Sequence, residues 1–188
     1  MALISIIVPF YNASKTIKST LQSIQNQTFK DFECLLINDS SIDDSIKIVE
    51  KFFSKDKRFK LFFNTNKGVV YARNLGIKKA IGRYITFLDS DDIWDPYFLE
   101  ETLNIREDLN RSIPITHSQY YRFEIKNKII KSNLIKPPQI INYRNILRKN
   151  YLPLLTVSID REITNDILFE NIRPEDYHLW IKLIFKIL

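Results

Sequence analysis

The sequence predicts an α/β fold: a mostly parallel sheet flanked by helices, with a small antiparallel extension after it. Two observations predict it. In the first half of the 188-residue chain, short apolar runs alternate with stretches in which apolar residues recur every three or four positions, as in βαβ units. The runs themselves are apolar almost throughout, which is typical of strands covered on both faces.

Strands and helices alternate four times in this first half. The apolar runs predict strands over residues 4–8, 32–37, 59–63 and 84–88. Helical spacing predicts helices over residues 14–28, 42–53 and 68–80. Pro96 suits the first turn of a fourth helix, which we expect to run to about Glu107. Because helices join successive strands, we expect the strands to be parallel.

The pattern changes after about Arg111. Residues 115–125 and 129–130, separated by a turn at residues 126–128, predict an antiparallel hairpin. This change of rhythm indicates a second, smaller part of the molecule.

Two helices are predicted in this second part. A short basic helix is expected over residues 142–149, and Pro174 is expected to begin a last helix. We therefore expect one continuous domain, with an α/β half at residues 1–110 and a smaller half at residues 111–188.

Basic residues are concentrated in one segment. The chain has 28 Lys and Arg against 22 Asp and Glu, a net charge of +6. Residues 122–149 alone carry +7, from Glu124 and eight basic residues: Arg122, Lys126, Lys128, Lys131, Lys136, Arg144, Arg148 and Lys149. This segment could contact nucleic acid, anionic lipid or phosphorylated substrates, or be a solvated face. We expect no nucleic-acid binding, because the chain has no recognised motif for it.

Cysteine content and apolar runs bear on the cell compartment. Cys34 is the single cysteine and lies in the apolar run FECLLI, so we expect a buried, inert thiol and no disulfide framework. No run approaches the roughly 18–20 apolar residues of a membrane span, and the first residues do not read as a signal peptide. We expect a cytoplasmic protein.

Polar residues follow three of the predicted parallel strands. Open parallel sheets bind ligands at the carboxyl ends of their strands. The segments after the first, second and fourth strands are Pro9-Phe10-Tyr11-Asn12, Asn38-Asp39-Ser40-Ser41 and Asp89-Ser90-Asp91-Asp92. We expect these three segments to share one rim and to form a binding site.

Several residues near this rim have a structural interpretation beside the functional one. Asp39 could accept a hydrogen bond from a base or a ribose hydroxyl, or cap the helix that begins near Ile42. Tyr11 could stack on a base or be a half-buried aromatic. Arg73 could reach a phosphate, brace the acidic loop or form a surface salt bridge. The residues alone leave these alternatives open.

Two pairs of carboxylates could carry chemistry. Asp89 and Asp91 lie two positions apart and offer hard oxygen ligands for Mg²⁺ or Mn²⁺ on a phosphate; the alternative is a solvated turn. Glu175 and Asp176 stand in the first turn of the last helix, where the helix dipole stabilises negative charge. They could cap this helix, or act as a general base toward a substrate hydroxyl.

Five segments in this order resemble the family 2 glycosyltransferases of GT-A fold: SIIVPFYN, INDSSIDDS, GVVYARNLGI, YITFLDSDD and RPEDYHLW. The resemblance spans nearly the whole chain. It implies an inverting enzyme that moves a sugar from a nucleotide-sugar donor, often a UDP-sugar, to an acceptor hydroxyl, with Mn²⁺ or Mg²⁺ as cofactor. It implies a glycan or lipid-linked acceptor in surface-polysaccharide synthesis. We further expect the basic segment to approach the anionic inner face of the membrane.

The resemblance implies donor-side roles for the residues that match its motifs. Pro9 and Tyr11 would line the base pocket, with Asn12 as a secondary candidate beside them. Asp39 would bind the uracil edge, and Arg73 would support the nucleotide or its pyrophosphate. Residues 1–110 would thus be the nucleotide-sugar-binding half.

It also implies roles for the two pairs of carboxylates. Asp89 would contact the ribose and sugar side of the donor, and Asp91 would ligate the metal. Asp92 is a secondary candidate without an assigned role and could simply hold the loop. Asp176 would be the catalytic base, with Glu175 beside it. The hairpin and residues 152–159 would line the acceptor side.

Three features depart from the family pattern. Residues 38–41 read Asn-Asp-Ser-Ser, where members often have two carboxylates followed by Gly-Ser, and residues 160–171 contain no glycine. The chain also ends soon after the candidate base helix. These departures leave open a truncated, non-catalytic nucleotide-sugar-binding module or a partner of a longer transferase. A dinucleotide-dependent dehydrogenase is not expected, because no G-x-G-x-x-G follows the first strand.

Overall fold

The fold is a central six-stranded sheet covered by helices on both faces. The computed structural model describes residues 2–108, 113–125, 129–164 and 167–187. The first part contains β1 Ile4–Phe10, α1 Ile17–Gln25, β2 Phe32–Asn38, α2 Ser45–Phe53, β3 Phe59–Phe63, α3 Val69–Lys79, β4 Tyr84–Phe87 and α4 Phe98–Asp108. The four predicted strands and four predicted helices are confirmed, with ends that differ by a few residues.

The second part is less regular. It contains β5 Ile115–His117, β6 Phe123–Ile125, β7 Ile129–Lys131, α5 Tyr143–Arg148, a 3₁₀ turn at Leu154–Thr156, β8 Val157–Asp160, α6 Arg161–Thr164 and α7 Glu175–Ile187. The short basic helix and the last helix are confirmed. The predicted turn at residues 126–128 and the predicted boundary between residues 110 and 111 lie outside the described residues.

The strand order of the main sheet is β3-β2-β1-β4-β8-β5. Neighbours among β1 to β4 are parallel, whereas β8 is antiparallel to both β4 and β5. Two expectations are wrong here. Residues 157–159, expected on the acceptor side, form a buried strand inside the sheet. The single strand predicted over residues 115–125 is also wrong, because residues 115–117 pair with β8. The hairpin is formed by β6 and β7, and an antiparallel bridge between Tyr120 and Ile135 continues it.

Each face of the sheet has its own apolar core. One face packs against α1, α2 and α4, with buried residues that include Ile6, Val8, Leu21, Val49 and Leu99. The other face packs against α3, α5 and α7, with buried residues that include Ile7, Ala72, Ile146, Trp180 and Leu183. Successive residues of β1 face opposite cores: Ile7 lies in the second and Ile6 and Val8 lie in the first. Because α3 and α7 both contribute to the core that contains Ile7, these two helices share one layer.

Two residues of β1 shape the end of the sheet that carries the site. A Cβ on Gly76 of α3 would lie 2.5 Å from Cγ2 of Ile7, so glycine lets α3 lie directly on β1. Pro9 has no N–H to donate, and the pairing of β1 with β4 ends before it, at Ile7 and Phe87. The chain after β4 is therefore free to diverge from β1 and open a cleft.

Cys34 is buried in β2, and burial raises the pKa of its thiol, in agreement with the predicted inert core position. Among the described residues, no helix is both long enough and apolar enough to cross a membrane.

Candidate active site

The segments that follow β1 and β2 are joined at the carboxyl edge of the sheet. The Asn12 N–H donates to Oγ of Ser41 at 3.1 Å, and Oδ1 of Asn12 accepts from the Ile42 N–H at 2.9 Å. Asn12 and Ser40 have φ angles of 47° and 67°, in the left-handed region that sharp turns use. The structure thus brings the first two predicted polar segments into contact.

Asp39 holds the loop that leads into α3. Its side chain is almost buried, and its two oxygens accept from the Gly68 N–H at 2.9 and 3.0 Å. Oδ1 also accepts from Nδ2 of Asn64 at 2.8 Å. The interpretation of Asp39 as a cap of α2 is wrong, because Asp44 occupies the N-cap position. Gly68 has a φ of 128°, a conformation that side chains disfavour.

Tyr11 presents an exposed ring at this rim. It is 48% exposed, and Nζ of Lys67 lies 5.5 Å from its ring centroid, so the same loop that Asp39 holds brings a cation to Tyr11. Pro9, expected beside Tyr11 in a base pocket, is buried within β1. Of the two, only Tyr11 offers a free surface for stacking.

Arg73 links the acidic loop to the last helix. Nη2 donates to Oδ1 of Asp89 at 2.8 Å, and Nη1 donates to Oε1 of Glu175 at 2.9 Å. The Arg73 side chain is 6% exposed, so the interpretation as a surface salt bridge is wrong. Its Nε has no hydrogen-bond partner within the described residues. Both terminal nitrogens are therefore engaged with carboxylates from separate segments.

The acidic loop after β4 turns tightly and concentrates negative charge. The Asp92 N–H donates to the Asp89 carbonyl at 3.0 Å. Burial raises the pKa of Asp92 to about 7, and the charges of Asp89 and Asp91 add to this effect. A cation near the loop would relieve this negative potential.

Asp91 is the accessible carboxylate of the loop. It is exposed, and no hydrogen bond or ion pair joins its carboxylate to another described residue. It lines a cleft of about 470 Å³ together with Tyr11, Asn12, Ala13, Ser14, Lys15, Thr16, Asp43 and Ser90. The structure thus places Asp91 in the same cleft as the segment that follows β1.

The donor set fits a cation shared with a phosphate. No group of three or more His, Cys, Asp or Glu residues in the described part of the chain could enclose a metal ion. Mg²⁺ is usually held by one or two carboxylates, waters and substrate phosphates rather than by an all-protein cage. The unpartnered carboxylate of Asp91 matches this pattern, whereas Asp89 is engaged by Arg73.

Glu175 and Asp176 begin α7 and point to different partners. Glu175 accepts from Arg73, whereas Oδ2 of Asp176 accepts from Nδ2 of Asn150 at 3.1 Å. Oδ1 of Asp176 accepts from the Tyr177 N–H at 2.7 Å. Both carboxylates lie in the first turn of α7, as the helix-capping interpretation expects, and each also has a partner from another segment.

Two asparagines that were given no role from the sequence, Asn74 and Asn150, support this arrangement. Asn74, next to Arg73 on α3, donates to the Phe169 carbonyl and accepts from the Phe169 N–H, both at 2.9 Å. This fixes the segment before α7 against α3. Asn150 follows α5, and its hydrogen bond to Asp176 is the observation that makes it part of the candidate site. The sole sequence signal was the position of Asn74 beside Arg73.

Sequence comparisons place the chain among known transferases. A family model described as Glycosyl transferase family 2 matches residues 5–164. An uncharacterized glycosyltransferase of Haemophilus influenzae is 39% identical over 188 residues, which cover 100% of this chain and 74% of the relative. The Escherichia coli protein WfgD, a UDP-Glc:alpha-D-GlcNAc-diphosphoundecaprenol beta-1,3-glucosyltransferase, is 38% identical over 184 residues, or 97% of this chain and 70% of WfgD.

Solved structures share the fold at lower identity. S. aureus TarS 1–349 in complex with UDP matches with a TM-score of 0.73 and 23% identity, over 98% of this chain and 55% of TarS. A Pyrobaculum calidifontis mannosyltransferase, PcManGT, in complex with GDP-Man and Mn²⁺ matches with a TM-score of 0.71 and 16% identity. The match covers 96% of this chain and 51% of PcManGT. The chain thus spans about half the length of these structures. They confirm the GT-A fold, and the family match over residues 5–164 shows that this chain belongs to glycosyl transferase family 2.

Proposed function

We propose that the chain transfers a sugar from a UDP-sugar to an acceptor hydroxyl with inversion at the anomeric carbon. One observation carries the proposal: Arg73 joins Asp89, at the end of β4, to Glu175, next to the candidate base Asp176. The buried guanidinium group of Arg73 thus connects the donor-side loop with the helix that bears the candidate base. Residues 1–110 would bind the donor, and residues 111–188 would bind the acceptor.

On the donor side, the exposed ring of Tyr11 would stack on the base. Asp39 would act chiefly by fixing residues 64–68, because three hydrogen bonds already occupy its carboxylate; a remaining lone pair would meet the uracil edge. Arg73 would support the nucleotide indirectly, through Asp89. The choice of UDP is supported by the TarS complex and by the UDP-Glc in the name of WfgD.

Asp91 would hold a divalent cation, Mg²⁺ or Mn²⁺, together with oxygens of the donor diphosphate. A cation bound there supplies positive charge against the charge that develops on the leaving group. Asp89 would contact the ribose and sugar side from its place on Arg73. Asp92 would hold the turn through its backbone.

The chemistry that remains for the chain is a proton transfer. Asp176 would accept the proton of the acceptor hydroxyl while that oxygen attacks the anomeric carbon. The bond from this carbon to the diphosphate oxygen breaks as the new bond forms, and its electron pair leaves with the nucleoside diphosphate. Attack from the opposite face inverts the configuration in a single step.

The acceptor would be a lipid-linked glycan at the anionic inner face of the membrane. Residues 132–150 carry Lys136, Arg144, Arg148 and Lys149 and no acidic residue. On α5, Arg144, Leu147 and Arg148 are exposed at helical spacing, while Ile146 is buried. A basic face with an exposed leucine suits an anionic lipid surface. The name of WfgD, with its diphosphoundecaprenol acceptor, supports this substrate class.

The test is a transfer assay with UDP-glucose or UDP-GlcNAc and a GlcNAc-diphospholipid acceptor, with UDP release and the product's anomeric configuration as readouts. We expect transfer with inversion by the wild type. The variant Asp176→Asn should bind UDP with wild-type affinity but should produce no UDP from the UDP-sugar. The variant Glu170→Gln, which changes a surface pair with Lys182, should transfer sugar like the wild type. Transfer by Asp176→Asn would remove Asp176 from the role of base. UDP binding without transfer by the wild type would favour a non-catalytic module.

A further inference from the structure

The side-chain amide of Asn150 is fixed from both ends. Oδ1 accepts from the Leu152 N–H at 3.1 Å, and Nδ2 donates to Oδ2 of Asp176 at 3.1 Å. A flip of the amide would lose both hydrogen bonds and would turn its oxygen toward a carboxylate. The N–H face of Asn150 is therefore committed to Asp176.

The segment that carries Asn150 is itself docked on α7. The indole Nε1 of Trp180 donates to the Leu152 carbonyl at 2.8 Å, and both Trp180 and Leu152 are buried. Asp176 and Trp180 are four positions apart, so they lie on one face of α7. Two hydrogen bonds, one turn apart, thus join this face to residues 150–152.

A third contact restrains the other end of this segment. The Tyr177 hydroxyl, on the residue next to Asp176, donates to the Ile146 carbonyl of α5 at 2.5 Å. Asn150 is therefore anchored on both sides, through Ile146 before it and Leu152 after it. An anchored amide can orient a carboxylate, whereas a side chain on a free loop cannot.

We propose that Asn150 is a positioning residue that orients the carboxylate of Asp176 for proton abstraction. The proposal rests on the proposed function of Asp176. A carboxylate has about four lone-pair sites, and Asn150 and the Tyr177 N–H use two of them. Those two bonds fix the plane of the carboxylate, and the remaining lone pairs would be left for the proton of the acceptor hydroxyl.

The kinetic test uses Asn150→Ala and Asn150→Asp. The alanine variant loses the donor, and we expect kcat to fall about tenfold or more, with the KM for UDP-sugar unchanged. The aspartate variant keeps the shape but faces Asp176 with a second carboxylate, so we expect a larger loss and an acidic limb of the pH–rate profile displaced to higher pH. Wild-type kcat in Asn150→Ala would overturn the proposal.

A matched control separates positioning from stability. Asn142 caps α5 through a reciprocal pair of hydrogen bonds with Asn145, so Asn142→Ala disturbs the same segment without contact to Asp176. We expect it to lower the melting temperature and to leave kcat at 25 °C unchanged. Equal losses of kcat in Asn142→Ala and Asn150→Ala would mean that Asn150 is merely structural.

A second readout does not depend on transfer. In ¹H–¹⁵N spectra we expect the side-chain NH₂ signals of Asn150 to shift in Asp176→Ala, while the side-chain NH₂ signals of Asn142 stay in place. Unchanged Asn150 signals would overturn the proposal even if the enzyme is active. Shifted signals with active Asp176→Asn would instead keep the contact and remove the role proposed for Asp176.

Discussion

Nη2 of Arg73 lies 2.8 Å from Oδ1 of Asp89, and the arginine side chain is nearly buried while the aspartate is 39% exposed. The guanidinium group of Arg73 is therefore part of the protein interior, and it holds the carboxylate of Asp89 at the edge of the cleft. Because the other terminal nitrogen of Arg73 holds Glu175, loss of this one side chain would release both the donor-side loop and the start of α7.

Arg73→Met tests this link. We expect the free energy of unfolding to fall by about 1–3 kcal/mol, because partly buried carboxylates lose their donor, and the affinity for UDP to fall about tenfold or more. Urea unfolding and a UDP titration measure the two effects. The control is Arg58→Met, which breaks the pair with Asp56 beside β3 and should keep UDP affinity. Equal UDP affinities in the two variants would contradict the link.

Asp39→Asn tests the loop that leads into α3. The Asn64 amide and the Gly68 N–H both reach Oδ1, which an amide oxygen could replace, but the Gly68 N–H also lies 3.0 Å from Oδ2. An amide nitrogen in place of Oδ2 would face this N–H as a second donor, and the negative charge would be lost. We expect UDP affinity, measured by titration, to fall about tenfold. Asp44→Asn, at the exposed N-cap position of α2, should leave this affinity unchanged. A wild-type affinity in Asp39→Asn would show that the loop does not depend on this charge.

The parallel half of the fold was predictable because its signals are local. Each apolar run and each helical repeat reports on its own segment, and the rule for carboxyl ends of parallel strands then brought Tyr11, Asp39 and Asp89 to one rim. The pair β5 and β8 was missed for the opposite reason. Residues 115–117 find their partner some 40 residues further along the chain, and neither run is long enough to show a period.

The polar contacts of the site were less predictable than its location. Arg73 had three plausible roles, and only its burial between Asp89 and Glu175 distinguishes them. Asn150 had no signal at all, because an amide that orients one carboxylate needs no repeat or motif. Such contacts depend on the packing of α7 against α5, which no single segment encodes.

Asp91→Asn tests the proposed cation site. In the wild type we expect Mn²⁺ to strengthen UDP binding. In the variant we expect this difference to vanish, because the neutral amide lacks the charge of the carboxylate through which proteins usually hold Mg²⁺ beside a phosphate. Calorimetric titrations of UDP with and without Mn²⁺ measure this change in affinity. Asp95→Asn, whose side chain accepts from the Tyr97 N–H at the start of α4, should retain the Mn²⁺ effect. A retained Mn²⁺ effect in Asp91→Asn would remove Asp91 as the ligand.

Glu33 makes the stability of the sheet depend on acid pH. Burial raises its pKa, but hydrogen bonds from Lys60, Ser5 and the Ile81 N–H outweigh burial, so the pKa is lowered from the ordinary value of 4.5. This stability is present above 4.5 and is lost as the pH falls through the lowered pKa. We expect Glu33→Gln to be less stable than the wild type at pH 7 by about 1.5–3 kcal/mol.

The measurement for Glu33 is urea unfolding of both proteins at pH 7, 5, 4 and 3. The difference in the free energy of unfolding between the wild type and Glu33→Gln should be constant from pH 7 to 5. It should disappear below the lowered pKa of Glu33. Glu50→Gln, on the exposed side of α2, should follow the wild type at every pH. A gap that is unchanged at pH 3 would show that the charge of Glu33 does not contribute.

The basic face of α5 predicts binding to anionic vesicles. We expect the wild type to float with vesicles that contain phosphatidylglycerol but not with pure phosphatidylcholine, and to dissociate at high salt, because the attraction is screened. The double change Arg144→Glu and Arg148→Glu should abolish flotation. The same change in net charge on α2, Lys47→Glu and Lys51→Glu, should reduce it only slightly, since those residues lie on the helix layer of the opposite face of the sheet. Equal losses in the two double variants would mean that net charge alone draws the chain to lipid, and no flotation of the wild type would remove the membrane from the proposal.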